Sequence, residues 1–143
     1  KPMASAGSSS FWFYDSASDW WTEIDVFEIG GKAPGKERNM HITLHHMNSP
    51  LVSGHFQVGS AFVAPADLID DYHVYGFEWD KDEIKYYVDG VIVRRIRNSD
   101  WHDPLHMQFD SETMPTWFGM PKDEDLPSTY SIEYVRAWRP KSP

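Results

Sequence analysis

Apolar and polar residues alternate with a period of two along most of the chain, and this pattern predicts β-strands. The strand-like segments are residues 11–14, 20–29, 40–47, 52–63, 72–80, 84–88, 91–96, 105–112 and 131–138. Residues 1–10 are predicted to be loop, and residues 64–71 either loop or a single helical turn. With no long helical period and no repeat, the pattern predicts an all-β fold, an antiparallel β-sandwich.

The strongest turn signal is Asp89-Gly90, which separates the apolar runs 84–88 and 91–96. Asp-Gly between two strand-forming runs is typical of a two-residue β-hairpin. The aromatic residues of this region alternate with polar ones, and we expect their rings to lie in the core. This hairpin indicates fold and carries no information about activity.

One segment, residues 20–29, places three carboxylates among apolar strand-forming residues, at positions 23, 25 and 28. In a regular strand Glu23 and Asp25 share one face, and Glu28 falls on the other. One extra residue at about Val26-Phe27, a β-bulge, would bring Glu28 to the face of the other two acids. We therefore predict a bulge at this point and a surface that carries all three carboxylates.

Three carboxylates on one surface suit a specific chemistry. A retaining glycosidase needs two carboxyl groups only about 5 to 5.5 Å apart, one as nucleophile and one as acid. Carboxylates this close cannot all be charged at low cost, so at least one should hold a proton near neutral pH, as a general acid must. The alternatives are an acidic edge strand that faces solvent and part of a cation site.

Composition narrows the classes of function. Aromatic residues make up 15% of the chain, which suits a sandwich interior or a surface that stacks on sugar rings. The net charge of −9 disfavours a nucleic-acid partner, because phosphate-binding surfaces are basic. The chain has no cysteine, which excludes disulfides and thiolate metal sites. No apolar run is long enough to predict a membrane span.

The run Trp21-Thr22-Glu23-Ile24-Asp25-Val26-Phe27-Glu28 resembles the signature of glycoside hydrolase family 16. These β-jelly-roll endoglycanases include laminarinases, agarases, porphyranases and κ-carrageenases, and the extra residue is typical of the members with a bulged strand. The resemblance implies that Glu23 is the nucleophile, Glu28 the acid/base, and Asp25 the residue that orients Glu23. It also implies that Trp21 floors the subsite next to the cleaved bond, on a concave substrate-binding sheet.

Three histidines follow on the next predicted strand. Alternation places His41 and His45 on one face and His46 on the other. The spacing of His41 and His45 is similar to that of paired histidines beside the acids in bulged family members, where they contact substrate. Two other interpretations stay open: structural histidines, and a zinc site, which the opposite directions of His45 and His46 disfavour.

The segments 109–113 and 116–121 resemble the strand and loop that close the cleft in the agarase and porphyranase branches. This resemblance implies that Glu112 contacts sugar hydroxyls and that Trp117 stacks on a sugar face; alternatively, Trp117 plugs the end of the sandwich. Residues 131–138 resemble the family's closing strand, in which Glu133 replaces an aspartate that can help to hold a structural calcium. We expect no required cofactor and no metal among the site residues, and leave the structural calcium open.

The resemblance covers nearly the whole chain but only the C-terminal half to two-thirds of the family domain, whose signature strand lies near the middle. We therefore expect residues 1–143 to be one incomplete β-jelly-roll domain, with the N-terminal part as a separate piece; an unusually short member is the alternative. The expected function is a secreted or cell-surface retaining endo-β-glycosidase acting on agar or porphyran, then κ-carrageenan, with laminarin also possible. The competing class is a lectin-like sandwich that binds sugar without cutting it.

Overall fold

The computed structural model describes residues 1–16 and 19–139. Its strands are β1 (Ser8–Ser16), β2 (Trp21–Gly30), β3 (Asn39–Met47), β4 (His55–Val63), β5 (Tyr75–Trp79), β6 (Glu83–Val88), β7 (Val91–Arg97) and β8 (His106–Glu112). One short 3-10 helix spans Asp123–Asp125. Residues 17 and 18 of the turn predicted between the first two strands lie outside the described residues. Across the described ranges, no helix is both long and apolar enough to cross a membrane.

The strands form two antiparallel sheets. The larger has the order β4-β3-β2-β1-β8, and the smaller has the order β5-β6-β7. The buried side chains of β2 and β3 pack with those of β6 in one hydrophobic core. This arrangement confirms the prediction of an all-β antiparallel sandwich, and β2, which carries the acids, is the central strand of the larger sheet.

Alternation along β3 gives the larger sheet one apolar face, which is buried, and one polar face. Met40, Ile42 and Leu44 are fully buried, whereas His41, Thr43 and His45 between them are only partly buried. Full burial of each apolar side chain contributes about 1.5–3 kcal/mol to folding, which fixes the register of the strand. The predicted faces of β3 are confirmed, and the polar face is free to form a site.

The hairpin between β6 and β7 turns at Asp89 and Gly90, whose φ angles are +50° and +80°. Positive φ at both central residues is the requirement of a type I′ turn, whose twist matches that of the flanking strands. The predicted hairpin is confirmed. It belongs to the smaller sheet.

The first strand begins earlier than the sequence suggested. Residues 1–10 were expected to be loop, yet Ser8, Ser9 and Ser10 are buried strand residues. They lie between β2 and β8, so their backbone groups are paired on both sides. Their hydroxyls bond inside the protein: Ser8 Oγ lies 2.9 Å from Ser10 Oγ, and Ser9 Oγ accepts from Met3 N at 2.9 Å. Burial of these serines is possible because small polar groups that find partners cost little.

The predicted closing strand at 131–138 is wrong for the described structure. No strand is present there, and Ile132, Tyr134, Val135 and Trp138 are exposed, Trp138 by 81%. Within this segment, backbone pairing is limited to Ser131, which exchanges two hydrogen bonds with Lys1. A strand needs a hydrogen-bonded neighbour, and none of the described strands runs beside this segment.

Candidate active site

The acids reach one face of the sheet through a bulge in β2. Asp25 is opposite Thr43 and Glu28 is opposite His41, so two residues of β2 face one of β3. On the other side of β2, Asp25 and Phe27 face consecutive residues of β1. Val26 is therefore the extra residue, and both Val26 and Phe27 are buried. The predicted bulge is confirmed at the predicted place, and it turns Glu28 away from the core.

Glu23, Asp25 and Glu28 line a single cleft of about 560 Å³. Its other lining residues come from β3, from β4 and from the loop after β8. They are His41, Thr43, His45, Gln57, Gly59, Ser60 and Trp117. The structure thus brings together six of the eight site residues that the sequence analysis named.

Asp25 is held by His45. It is 4% exposed, and its Oδ2 lies 3.2 Å from His45 Nε2, which also lies 3.9 Å from Glu23 Oε1. Burial opposes the charged imidazole, but the hydrogen bond and charge of Asp25, together with Glu23, outweigh burial and raise the pKa of His45. His45 Nε2 therefore donates to Asp25, and its charge lies close to Glu23 as well.

His55 was missed by the sequence analysis. Its Nε2 lies 3.1 Å from His45 Nδ1, and its ring is 5.6 Å from that of Trp21. His55 reaches this place because it begins β4 opposite Met47. That register depends on the turn before β4, which the sequence does not specify, so the only sequence signal was that His55 lies within the strand-like run 52–63.

The pKa values of two acids are strongly raised. Burial, then the charges of Asp25 and Glu23, raise the pKa of Glu28 to about 8. Burial, then Asp25, raise the pKa of Glu23 to about 7, against the opposing charge of His45. Like charges in a shielded cleft cannot all ionise, so protons are retained near neutral pH. Near neutral pH the three acids therefore retain at least one proton, and of the two raised pKa values that of Glu28 is the higher.

His41 and Trp117 form one end of the cleft. Their ring centroids lie 4.8 Å apart with the rings edge to face, and Lys36 Nζ donates to the backbone oxygen of Trp117. Burial, then the charge of Lys36, lower the pKa of His41, which keeps the ring neutral. Within residues 1–16 and 19–139, His41 Nε2 is buried without a hydrogen-bond partner.

Trp21 and Glu112 lie beside the cleft and are absent from its lining. Trp21 borders a smaller cavity of about 90 Å³ that Trp20 and Asp103 also line. Glu112 is exposed at the end of β8, opposite Ser8, and its charge contributes to the raised pKa of Glu28. Both residues thus flank the acids, and their predicted contacts with sugar stay predictions.

In the part of the chain that the structure describes, one group of side chains could hold a metal ion. Glu23, Asp25 and His45 offer ligand atoms within 4.8 Å of one another. A zinc site of three histidines does not form, because His46 is buried on the core side, 3.0 Å from Asp100, whereas His41 and His45 line the cleft. Among the described residues, Glu133 belongs to no group of three potential ligands. Binding of a structural calcium stays an open prediction.

Comparisons with known proteins identify related sequences. The sequence model of the GH16 domain of β-porphyranases A–D matches residues 1–140. Glucan endo-1,3-β-glucosidase A1 of Niallia circulans is 30% identical over 87% of this chain and 20% of its own length. The κ-carrageenase of Pseudoalteromonas carrageenovora is 26% identical over 92% of this chain and 39% of its own length.

Solved structures share the fold. Porphyranase B and β-agarase A of Zobellia galactanivorans both superpose with a TM-score of 0.71, at 22% and 21% identity. The matches cover 90% and 87% of this chain but only 56% and 52% of those chains. The chain therefore spans about half of these structures, and between a fifth and two fifths of the two curated relatives. The match over residues 1–140 shows that the chain belongs to glycoside hydrolase family 16.

Proposed function

We propose that the cleft hydrolyses internal β-glycosidic bonds of a polysaccharide with retention of configuration. Glu23 attacks the anomeric carbon while Glu28 protonates the departing oxygen, which yields a glycosyl-enzyme and a free chain end. Glu28, now a carboxylate, takes a proton from water, and the water oxygen displaces Glu23. The observation that carries this proposal is that the bulge places Glu28 in the same cleft as Glu23.

The difference in pKa supports this division of roles. Glu28, with a pKa of about 8, holds at neutral pH the proton that a general acid must deliver. Glu23, with a pKa of about 7, is more readily ionised, and the nearby His45 favours its carboxylate. Asp25 lies 3.2 Å from His45 Nε2 and interacts with Glu23, whose pKa it raises, so it is placed to orient Glu23. Asp25 is therefore the residue that fixes the nucleophile and adjusts its proton affinity.

Five residues are proposed to contact the substrate: Trp21, His41, His45, Glu112 and Trp117. Trp117 would stack on a sugar, and the neutral His41, whose ring meets that of Trp117 edge to face, would contact the same sugar. Trp21 would floor the subsite at the cut, beside His55. Glu112 would reach a more distant sugar, because β1 separates β8 from the strand that carries the acids.

A red-algal galactan is the proposed substrate, with agar or porphyran ahead of κ-carrageenan. The matching domain is that of β-porphyranases, and κ-carrageenase and β-agarase are among the similar proteins. The described lining of the cleft includes three acids and no Lys or Arg. A sulfate group bound beside these acids would be repelled, which favours sugars with little sulfate near the cleaved bond. Laminarin stays a candidate, because a glucan endo-1,3-β-glucosidase is also similar.

Additional polypeptide is proposed to complete the domain. The chain spans about half of the similar structures, and the strand-like segment 131–138 lacks a neighbour among the described strands. Strands from the N-terminal part of the domain would cover its exposed apolar residues and extend the wall of the cleft. Because polysaccharides are too large to enter cells intact, we also propose that the enzyme acts outside the cell or at its surface.

A reducing-sugar assay on agarose, porphyran, κ-carrageenan and laminarin tests the proposal, with the full-length protein and its Glu23→Gln variant. We expect release from one galactan by the wild type, none by Glu23→Gln, and unchanged release by Glu124→Gln, a matched exposed control. Proton NMR of the first product should show the β-anomer. Binding to a polysaccharide without any release would favour the lectin-like alternative.

A further inference from the structure

The backbone beneath the acids is held by one buried indole. Trp101 is 3% exposed, and its Nε1–H donates to the carbonyl oxygens of both Glu23, at 3.1 Å, and His45, at 2.8 Å. Glu23 and His45 are directly opposite each other on β2 and β3. A carbonyl oxygen has two lone pairs, so it can accept from the indole in addition to any bond within the sheet. One donor thus connects the backbones of two site residues.

Trp101 is itself firmly anchored to the smaller sheet. Its carbonyl accepts from Trp79 Nε1 and from Asn98 Nδ2, both at 2.7 Å, and its N–H donates to Asn98 Oδ1 at 3.0 Å. Asn98 Nδ2 also donates to Asp80 O at 2.7 Å, at the turn between β5 and β6. These bonds connect the indole to the opposite sheet and limit its movement.

We propose that Trp101 is a positioning residue, which holds the backbone of Glu23 in register with that of His45. The register decides whether His45 Nε2 can stay 3.2 Å from Asp25 and 3.9 Å from Glu23. A sliding movement of β2 against β3 would break these contacts, and the bridging indole resists that movement because it bonds to both strands. A displacement of about 1 Å at a catalytic group can cost 10²-fold in rate.

Substitutions can separate two contributions of Trp101: the packing of its ring and the hydrogen bonds that its indole N–H donates. Trp101→Phe keeps an aromatic ring in the core but removes the donor. Trp79→Phe is the matched control, since it removes a partly buried indole donor to the same loop and leaves the bonds to Glu23 and His45 in place. The loop remains held by Asn98 in that control. A purely structural role for Trp101 predicts similar effects of both substitutions.

The first measurement does not depend on catalysis. Long-range ¹⁵N–¹H NMR spectra report the tautomer and hydrogen bonding of each histidine ring, and His45→Gln identifies the signals of His45. We expect the His45 signals to move or broaden in Trp101→Phe and to stay in place in Trp79→Phe, with similar losses of a few degrees in Tm. Unchanged His45 signals in a folded Trp101→Phe protein would overturn the proposal.

The second measurement rests on the proposed function. We expect Trp101→Phe to lower kcat about tenfold or more with KM changed less than about twofold, and Trp79→Phe to retain kcat within about threefold. If the wild type hydrolyses none of the polysaccharides, the proposed function fails, and the NMR comparison alone decides the role of Trp101. If Trp101→Phe does not fold, a benzothiophene ring in place of the indole of Trp101 removes the donor without changing the shape.

Discussion

Glu28 is opposite His41 across the sheet, although regular alternation from Asp25 would give that place to Phe27. The strand gains one residue at this point, and the two residues before Glu28 both turn inward. The core therefore receives an additional apolar side chain, and the cleft receives its third acid. The bulge thus positions Glu28, which is the proposed general acid.

The bulge can be tested by removing its extra residue. Deletion of Val26 leaves a strand in which Glu23, Asp25 and Glu28 alternate regularly, so all three should still face the cleft. The loss of a fully buried valine should cost about 1.5–3 kcal/mol of stability. We expect a folded protein that keeps measurable activity on the substrate of the wild type, and a crystal structure with Glu28 in the cleft.

Deletion of Ile24 is the control for this experiment. It removes a buried apolar residue from the same strand but changes the phase between Glu23 and Asp25. We expect no activity from this variant, even where it folds. Equal activity of both deletion variants would show that the register of β2 does not control the site.

Chemical rescue distinguishes the two glutamates. In Glu28→Ala the glycosyl-enzyme forms slowly, and azide attacks it in place of water to give a β-glycosyl azide. In Glu23→Ala no glycosyl-enzyme forms, and azide attacks the substrate directly to give an α-glycosyl azide. We expect each substitution to lower kcat by at least about 10³-fold without azide. The anomer of the azide product, determined by NMR with an activated aryl glycoside, identifies each role; the same anomer from both variants would contradict the assignment.

The fold and the acids could be predicted from sequence because both depend on local pattern. Alternation placed His41 and His45 on the open face of β3, and the spacing of Asp25 and Glu28 required a bulge. Asp89-Gly90 specified a hairpin because few other residues adopt positive φ at two successive positions. These features need no knowledge of distant parts of the chain.

Features that depend on non-local pairing could not be predicted. His55 joins the site through the register between β3 and β4, and Trp101 through a loop that crosses from one sheet to the other. Ser8 to Ser10 have a loop-like composition but are buried, because β2 and β8 pair with them on both sides. Conversely, residues 131–138 have a strand-like pattern but no neighbouring strand among the described ones. The pattern alone therefore predicted a strand that does not form.

The pH dependence of activity should follow the two raised pKa values. The active form has Glu23 ionised and Glu28 protonated, so kcat/KM should rise with pH through about 7 and fall through about 8. The rising and falling limbs of this pH profile report the titration of the coupled group of acids as a whole. In Asp25→Asn, loss of the charge that raises both pKa values should move both limbs to lower pH, by about one pH unit. Limbs that stay in place would show that Asp25 does not control the proton affinity of the pair.

Stability should also change with pH through Glu28, independently of activity. The folded protein holds the proton of Glu28 up to a pKa of about 8, whereas the unfolded chain releases it near 4.5. Between these values the native state binds more protons, so the free energy of unfolding falls as pH rises.

Glu28→Gln removes this contribution of Glu28 to the pH dependence of stability. We expect the variant to exceed the wild type in stability by about 1–2 kcal/mol at pH 9, after allowance for solvent screening, and to match it near pH 4.5. Urea unfolding at both pH values measures the difference, with Glu124→Gln as the exposed control. A variant that is less stable than the wild type at pH 9 would show that the Glu28 carboxylate is well accommodated in the cleft, and that its proton is not retained for catalysis.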